Sequence, residues 1–409
     1  MNSTAPRAEG YTDRTLFAAL LAALAMLGPF SIDTYMPSFP DIGRTFGASP
    51  FELQFTISSF LATFAIMSLF HGALADSFGR RPVILFNLVI FVLASAGCAL
   101  ASAFNQLLWF RALQGLAGGA GLIVGRAMIR DSFAGDEAQR MMSTVTMIFG
   151  VAPAIAPIIG GWLQAWLGWR SVFAFLTAYA VLLLVFCWWR LPETLPAGER
   201  QPVAPRTLFA NYAGVFGSLR FVLLSSAIAF NFCAFFLYIA AAPVVIYQWL
   251  GLGESEFAWL FIPGISGIVV GAFISGRVAG RISRRQTLRL GFVVMFAAVA
   301  CNIAYHALAA PALPWTVLCV LLYTTGMAIS MPTLTLTLLA LDLFPHNRGM
   351  AASVQAFQHS LFTAIAAVAI VPHVAESALA VALTAAALLG CGAVCAMLHA
   401  TMEPEKSDA

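Results

Sequence analysis

Long apolar stretches alternate with short polar breaks along the whole chain, and the apolar stretches are too long for ordinary buried helices. A bilayer hydrocarbon core of about 30 Å takes roughly 20 apolar residues of helix. On that measure the pattern predicts twelve spanning helices, at 15–37, 51–74, 82–103, 105–127, 141–166, 170–190, 219–247, 256–279, 287–309, 313–340, 348–372 and 376–399. The longest polar break holds Pro192, Pro196, Pro202 and Pro205 among Glu193, Glu199, Arg200 and Arg206. It falls between spans six and seven, which gives an N-terminal six-helix half (1–190), a linker (191–218) and a C-terminal six-helix half (219–409). The apolar run from Thr15 to Ile32 has no evident cleavage pattern and reads as a retained first span.

Composition agrees with the pattern and removes several classes of function. The 409 residues are 61% hydrophobic and 10% charged, whereas soluble domains carry roughly 25% charged residues. A water-soluble enzyme is therefore excluded, and an all-α, multi-pass protein of the lipid bilayer is expected. The net charge of +3 gives no reason to expect a nucleic-acid partner. Lys406 is the sole lysine and lies between Glu405 and Ser407, so the Gly-Lys-Ser/Thr sequence of a phosphate-binding loop is missing, and with it a self-contained ATPase site. Metal and cofactor sites are not expected either: Cys98, Cys187, Cys233, Cys301, Cys319, Cys391 and Cys395 lack metal-type or redox-type spacing and read as small buried apolar residues. A membrane-embedded enzyme would need HExxH, GxSxG or an intramembrane pair of aspartates, and none is found. A channel would need repeated short filter loops, which are also missing.

Arginine positions orient the chain. With both termini cytoplasmic, 18 basic residues lie inside, Arg44 and Arg170 lie outside, and Arg111 lies within a span. The loops after spans two and eight also match at an offset of 204 residues. Gly72-x-Leu74-x-Asp76-x-x-Gly79-Arg80-Arg81 aligns with Gly276-x-Val278-x-Gly280-x-x-Ser283-Arg284-Arg285. Duplicated halves are a common construction of secondary transporters, whose substrate site lies near the membrane midplane.

The stretch Gly72-Ala-Leu-Ala-Asp76-Ser-Phe-Gly79-Arg80-Arg81-Pro82 resembles the loop 2–3 motif of the major facilitator superfamily. Arg111-Ala-Leu-Gln114-Gly115-Leu-Ala-Gly118-Gly119 resembles that superfamily's proton-coupling motif on span four. On span five, Gly150, Pro153, Pro157, Gly160 and Gly161 are similar to the antiporter motif of drug exporters, with Ala156 where glycine is common. The end of span one (Gly28-Pro29-Phe-Ser-Ile-Asp33-Thr-Tyr35-Met36-Pro37-Ser-Phe-Pro40) and Arg130-Asp131-Ser-Phe resemble the bicyclomycin/chloramphenicol resistance (Bcr/CflA) subfamily. The resemblance covers the whole chain. It implies a proton-coupled exporter of small amphipathic compounds in a bacterial inner membrane, working as a monomer. The same fold exporting a physiological metabolite, an amino acid or a nucleoside, is the alternative.

Ionisable residues inside spans are costly and mark function by default. Asp33 and Arg111 are the two best candidates and are expected at one depth, roughly 6–9 Å from the outer helix ends at 1.5 Å per residue. A move of Asp33 relative to Arg111, or a bound substrate, would toggle proton uptake. The bland alternatives are a solvated carboxylate at the helix mouth and an arginine that bonds helix-end carbonyls. Helical spacing gathers Met26, Phe30 and Asp33 on one face of span one, and Arg111, Gln114 and Gly118 on one face of span four. Asn231, Phe235 and Tyr238 on span seven and Gln355, His359 and Phe362 on span eleven extend an aromatic chamber with a few polar points. Ordinary interhelical packing would give the same pattern, and His359 reads equally as a packing histidine.

The loop residues have a separate task. Asp76 can pair with Arg126 or Arg130 and can face the N-terminus of span eleven near Asn347 and Arg348. By resemblance, this cluster, with Arg80 and Arg81, latches the two halves on the inside. Gly72 is expected to permit close helix contact and Gly79 a tight turn. The glycines and prolines of span five are expected to let it bend or seal.

Overall fold

The structure, a computed structural model, describes residues 14–200, 205–278, 281–330 and 348–402, and all regular structure among them is helical. Eleven helices among the described residues are long and apolar enough to cross a membrane, and a shorter apolar helix covers Leu313–Ile329. The tenth expected span, 313–340, runs past the described residues. Apolar side chains that face outward fit a lipid surround: Leu308 is 89% exposed and Trp189 73%.

Two compact units form: Met1–Tyr35 with Ser59–Leu208, and Met36–Ser58 with Phe209–Ala409. In the first unit lie α1 (Arg14–Asp33), most of α3 (Pro50–Phe78), α4 (Arg80–Leu100), α5 (Phe104–Gly118), α6 (Ala120–Ser132), α7 (Gly135–Leu167) and α8 (Trp169–Arg190). Helix α4 packs on α5 and α8, and α1 packs on α7. The expected fourth span is divided into α5 and α6 at Gly118–Gly119.

The second unit begins with a 3-10 turn (Met36–Ser38), α2 (Phe39–Phe46) and the start of α3, which together form a hairpin. It continues with α9 (Pro205–Phe216) from Phe209 on, α10 (Leu219–Ala240), α11 (Ala258–Val278), α12 (Arg284–Leu308), α13 (Leu313–Ser330), α14 (Arg348–Ile365), α15 (Val371–Val374) and α16 (Ala378–Thr401). Gly267 and Gly271 let α11 lie against the α13 backbone, where a Cβ on either would overlap the carbonyl of Leu321 or Thr325. Small residues at helix contacts are the usual basis of packing in lipid.

Three expectations change on inspection. Span seven, expected to reach residue 247, is α-helical only to Ala240; Pro243 has no N–H to donate, and Val244–Trp249 continues as a π-turn. Span eleven likewise changes register, with a π-turn at Ala366–Ile370 ahead of Pro372. Of the cysteines, Cys98, Cys187, Cys233 and Cys319 are buried, but Cys301 and Cys391 are exposed, because in a lipid solvent an apolar side chain gains little by facing inward.

Candidate functional site

Helix α1 ends early for a local reason. Pro29 removes one backbone donor, and the hydroxyls of Ser31 and Thr34 donate to the carbonyls of Leu27 (2.7 Å) and Phe30 (2.5 Å), the latter shared with the Thr34 backbone N–H at 3.3 Å. Asp33 is therefore the last residue of α1, and it is buried, at 5% exposure. The last carbonyls of a helix lack intrahelical partners and attract a cation. Arg111 supplies it: Nη1 donates to the Ser31 carbonyl at 2.8 Å.

Arg111 is fully buried, and its Nη1 also reaches Gln114 Oε1 at 2.8 Å. Its guanidinium carbon lies 4.3 Å from the Tyr35 ring centre and 4.8 Å from that of Phe60. The aromatic faces replace part of the lost hydration. Gln114 Nε2 then donates to Ser95 Oγ at 2.8 Å, and Cys98 Sγ donates to Gln114 Oε1 at 3.7 Å. Among the described residues no ion pair joins Asp33 to Arg111. The arginine holds the backbone that carries the acid and leaves the carboxylate out of a salt bridge.

The span-five motif supports the same spot. Gly160 of α7 sits against the carbonyl of Thr34, the residue after Asp33, so closely that a Cβ would overlap the oxygen. Gly161 is buried, Pro153 and Pro157 lie inside α7, and a Cβ at Gly150 would meet nothing within 4 Å among the described residues.

The remaining predicted lining divides into groups. The Phe30 ring lies tilted against those of Tyr179 (ring centres 5.4 Å apart) and Phe175 of α8, and Met26 is half-buried. On α10, Phe235 and Tyr238 line a small cavity with Asn302, Cys319, Val320 and Tyr323 inside the second unit. Asn302 Nδ2 donates to the Tyr238 hydroxyl at 2.5 Å. Asn231 is fully buried against Gly392, with no hydrogen bond to its side-chain amide among the described residues. The opposite side of α10 meets α14: Phe232 lies 4.4 Å from the His359 ring centre and Phe230 5.1 Å from that of Phe362. Gln355 is half-buried on α14. The structure thus brings His359 to Phe232.

In the loop cluster, Gly79 adopts φ 99°, a conformation that glycine accepts and other residues resist. Arg80 bonds Asp76 one turn earlier, and its Nε donates to Asp131 Oδ2 at 2.9 Å. Among the described residues Asp76 pairs with Arg80, which also reaches Asp131 of α6, and no ion pair joins Asp76 to Arg126 or Arg130. Both of those arginines are exposed. Contact of Asp76 with Asn347 and Arg348 lies outside the described residues. A Cβ at Gly72 would meet nothing within 4 Å among the described residues.

Sequence reasoning missed Glu193. Its carboxylate accepts from the backbone N–H of Arg80 at 3.0 Å and of Arg81 at 3.3 Å, and so caps the start of α4. Thr194 donates to Asp131 at 3.1 Å, and Arg81 Nη2 donates to the Trp188 carbonyl at 2.5 Å. The Leu191-Pro-Glu-Thr turn, classed as linker, is thus part of the cluster. Glu193→Ala is expected to lower stability by about 1 kcal/mol, the usual worth of an N-terminal cap. Thermal unfolding in detergent checks this, with Glu193→Gln expected to lose less.

The major facilitator superfamily model matches residues 20–367. The chain belongs to the major facilitator superfamily. Facilitators similar to it include the bicyclomycin resistance protein homolog of Haemophilus influenzae, 28% identical over 69% of this chain and 71% of the relative. The MFS-type transporter YdgK of Bacillus subtilis is 33% identical over 83% and 85%. The chloramphenicol resistance protein of Pseudomonas aeruginosa is 29% identical over 68% and 67%. Among solved facilitator structures, that of a D-xylose-proton symporter aligns with a TM-score of 0.71 at 16% identity, covering 95% of this chain and 98% of that one. At that identity the likeness concerns the fold. The chain is a multi-pass membrane protein of a transporter family whose relatives include antibiotic and multidrug resistance proteins.

Proposed function

We propose that this facilitator exports small amphipathic compounds, with phenicols and bicyclomycin as the first candidates, in exchange for protons across a bacterial inner membrane. It has twelve spans in two six-helix halves, both termini in the cytoplasm, and acts as a monomer by alternating access. The observation that carries the reading is the buried carboxylate of Asp33 at the broken end of α1, with Arg111 bound to the adjacent carbonyl of Ser31. A proton arriving from outside is taken by Asp33, its uptake favours release of the compound outward, and the proton leaves inside as the site reopens. Arg111 and Gln114 keep the acid at a fixed place during the cycle. Met26, Phe30, Asn231, Phe235, Tyr238, Gln355 and His359 are the proposed lining for the compound. The names of the relatives from Haemophilus and Pseudomonas support the choice of cargo.

The test uses purified protein in liposomes with a pH-sensitive dye inside. Addition of a phenicol, bicyclomycin or a lipophilic cation is expected to drive proton movement in the wild type. If none of them does so, the exporter reading fails and metabolite transport replaces it.

A further inference from the structure

At one end of the second unit, the π-turn after α10, the link from α12 to α13 and the start of α16 surround a cavity of about 410 Å³. Trp249 closes the π-turn and His306 lies in the last turn of α12. Glu376 stands just before Ser377, whose hydroxyl accepts from the Ala380 N–H and caps α16. Pro311 and Leu379 belong to the apolar part of the wall. A volume of roughly 300–1,000 Å³ with a few polar groups among apolar ones is the usual form of a small-molecule site.

Three polar groups of this wall lack a partner among the described residues. Trp249 Nε1 and His306 Nδ1 are shielded from solvent and make no hydrogen bond. Their ring centres stand 6.5 Å apart, close enough for one bound molecule to touch both rings. The Glu376 carboxylate forms no ion pair. Buried donors and acceptors are nearly always satisfied, and two orphans side by side ask for a partner from outside the chain. The surrounding charge decides the sign of that partner. The segments that build this end of the unit, 241–259, 304–316 and 368–382, contain Glu254, Glu256 and Glu376, the histidines His306 and His373, and neither lysine nor arginine. Arg44, on the hairpin of the same unit, is already paired with Asp41. A cation is drawn to such a surface and an anion repelled. Glu376 also complements the positive end of the α16 dipole, but that role asks for neither a cavity nor an aromatic wall.

We propose that this cavity binds an organic ammonium ion, in the second unit, whereas Asp33 and Arg111 belong to the first. Glu376 is the counter-ion, and the Trp249 ring offers the π face over which a partly desolvated cation gains most. The orphan indole N–H donates to an oxygen of the ligand, so ammonium compounds with an ether, ester or hydroxyl oxygen near the charge bind best. Pro311 and Leu379 receive the apolar remainder. The wall is set before a ligand arrives. Tyr305 meets the His306 ring edge-on at 5.2 Å and stacks on Trp315 at 4.5 Å, and Trp315 Nε1 donates to Asn302 Oδ1 at 3.2 Å. Such pre-organisation lowers the cost of binding. The inference stands apart from the exporter reading, since binding here needs neither a proton nor transport.

Choline phenyl ether, a quaternary ammonium ion with an ether oxygen, is the probe, titrated calorimetrically into the intact protein in phosphatidylcholine nanodiscs. Binding is expected in the wild type, about tenfold weaker in Glu376→Gln and in Trp249→Leu, and close to wild type in Glu376→Asp. Trp249→Phe keeps a π face and loses the N–H, so it should fall between the wild type and Trp249→Leu. Glu376 is exposed, and the melting temperature of its variants should not move. Glu254→Gln, which lowers the charge of the same face without touching the cavity wall, is the control and should leave affinity alone. Amide hydrogen exchange places the bound probe: it should slow at 246–251 and at 373–380. Equal affinity in Glu376→Gln, benzenesulfonate bound as tightly as the ammonium ion, or a probe that protects neither segment overturns the inference. Wild-type protein that binds the probe but moves no protons with any compound would count against the exporter reading alone.

Discussion

Asp33→Asn is expected to abolish compound-driven proton movement in liposomes while the protein still folds and still binds the compound. The substitution keeps the shape of a side chain that makes no salt bridge to Arg111 among the described residues, so packing at the end of α1 changes little. What it removes is the capacity to take and give a proton. Transport down a compound gradient should survive in part and lose its dependence on pH, since a general acid or base that no longer titrates supplies no pH dependence. The pH profile of uptake into inverted vesicles checks this. Coupling that persists in Asp33→Asn would show that Asp33 is not the proton carrier.

Gly160→Ala is the second large effect. The new methyl group would meet the carbonyl oxygen of Thr34, a backbone atom that no side-chain rotation can move. Overpacking typically costs about 1–3 kcal/mol, and a backbone obstacle belongs at the upper end. Helix α7 must back away from the end of α1, and Asp33 with its arginine-held carbonyl must shift. Thermal unfolding should fall by several degrees, and antibiotic efflux by more than tenfold at equal membrane abundance. Gly150→Ala, where a Cβ would meet nothing within 4 Å among the described residues, is the matched control and should retain efflux. Equal behaviour of the two variants would show that the motif acts through helix bending rather than through contact with α1.

Most of the helices were legible because lipid imposes one requirement: about 20 apolar residues in a row, with backbone groups satisfied internally. Asp33 and Arg111 were legible because charge inside such a run is costly. What the sequence withheld lies in two places. The partners of Arg80 and Arg81 come from far along the chain, Asp131 at 51 residues and Glu193 at 113 from Arg80, and no local pattern announces such a meeting. The faces of α10 were equally hidden. An amphipathic helix in water declares its buried side by an apolar stripe, but α10 reads Phe-Asn-Phe-Cys-Ala-Phe-Phe from Phe230 to Phe236 and is apolar nearly all round. Spacing could show that Asn231, Phe235 and Tyr238 share a side. It could not show that this side turns toward Asn302 and Gly392, and the Phe232 side toward His359.

The hairpin 36–58 also sets a schedule for biosynthesis. Its partners lie 186 residues away for Gln54 and 306 for Ser58. At about 5–20 residues per second of synthesis, Ser58 waits roughly 15–60 s before Ala364 exists. Until residue 240 is made, the nascent chain holds two polar side chains whose eventual acceptors do not exist, and from there to residue 364 Ser58 alone still waits. The second unit therefore completes its packing only near the end of translation, and truncation after residue 208 would leave the first unit with a hairpin that has nothing to hold.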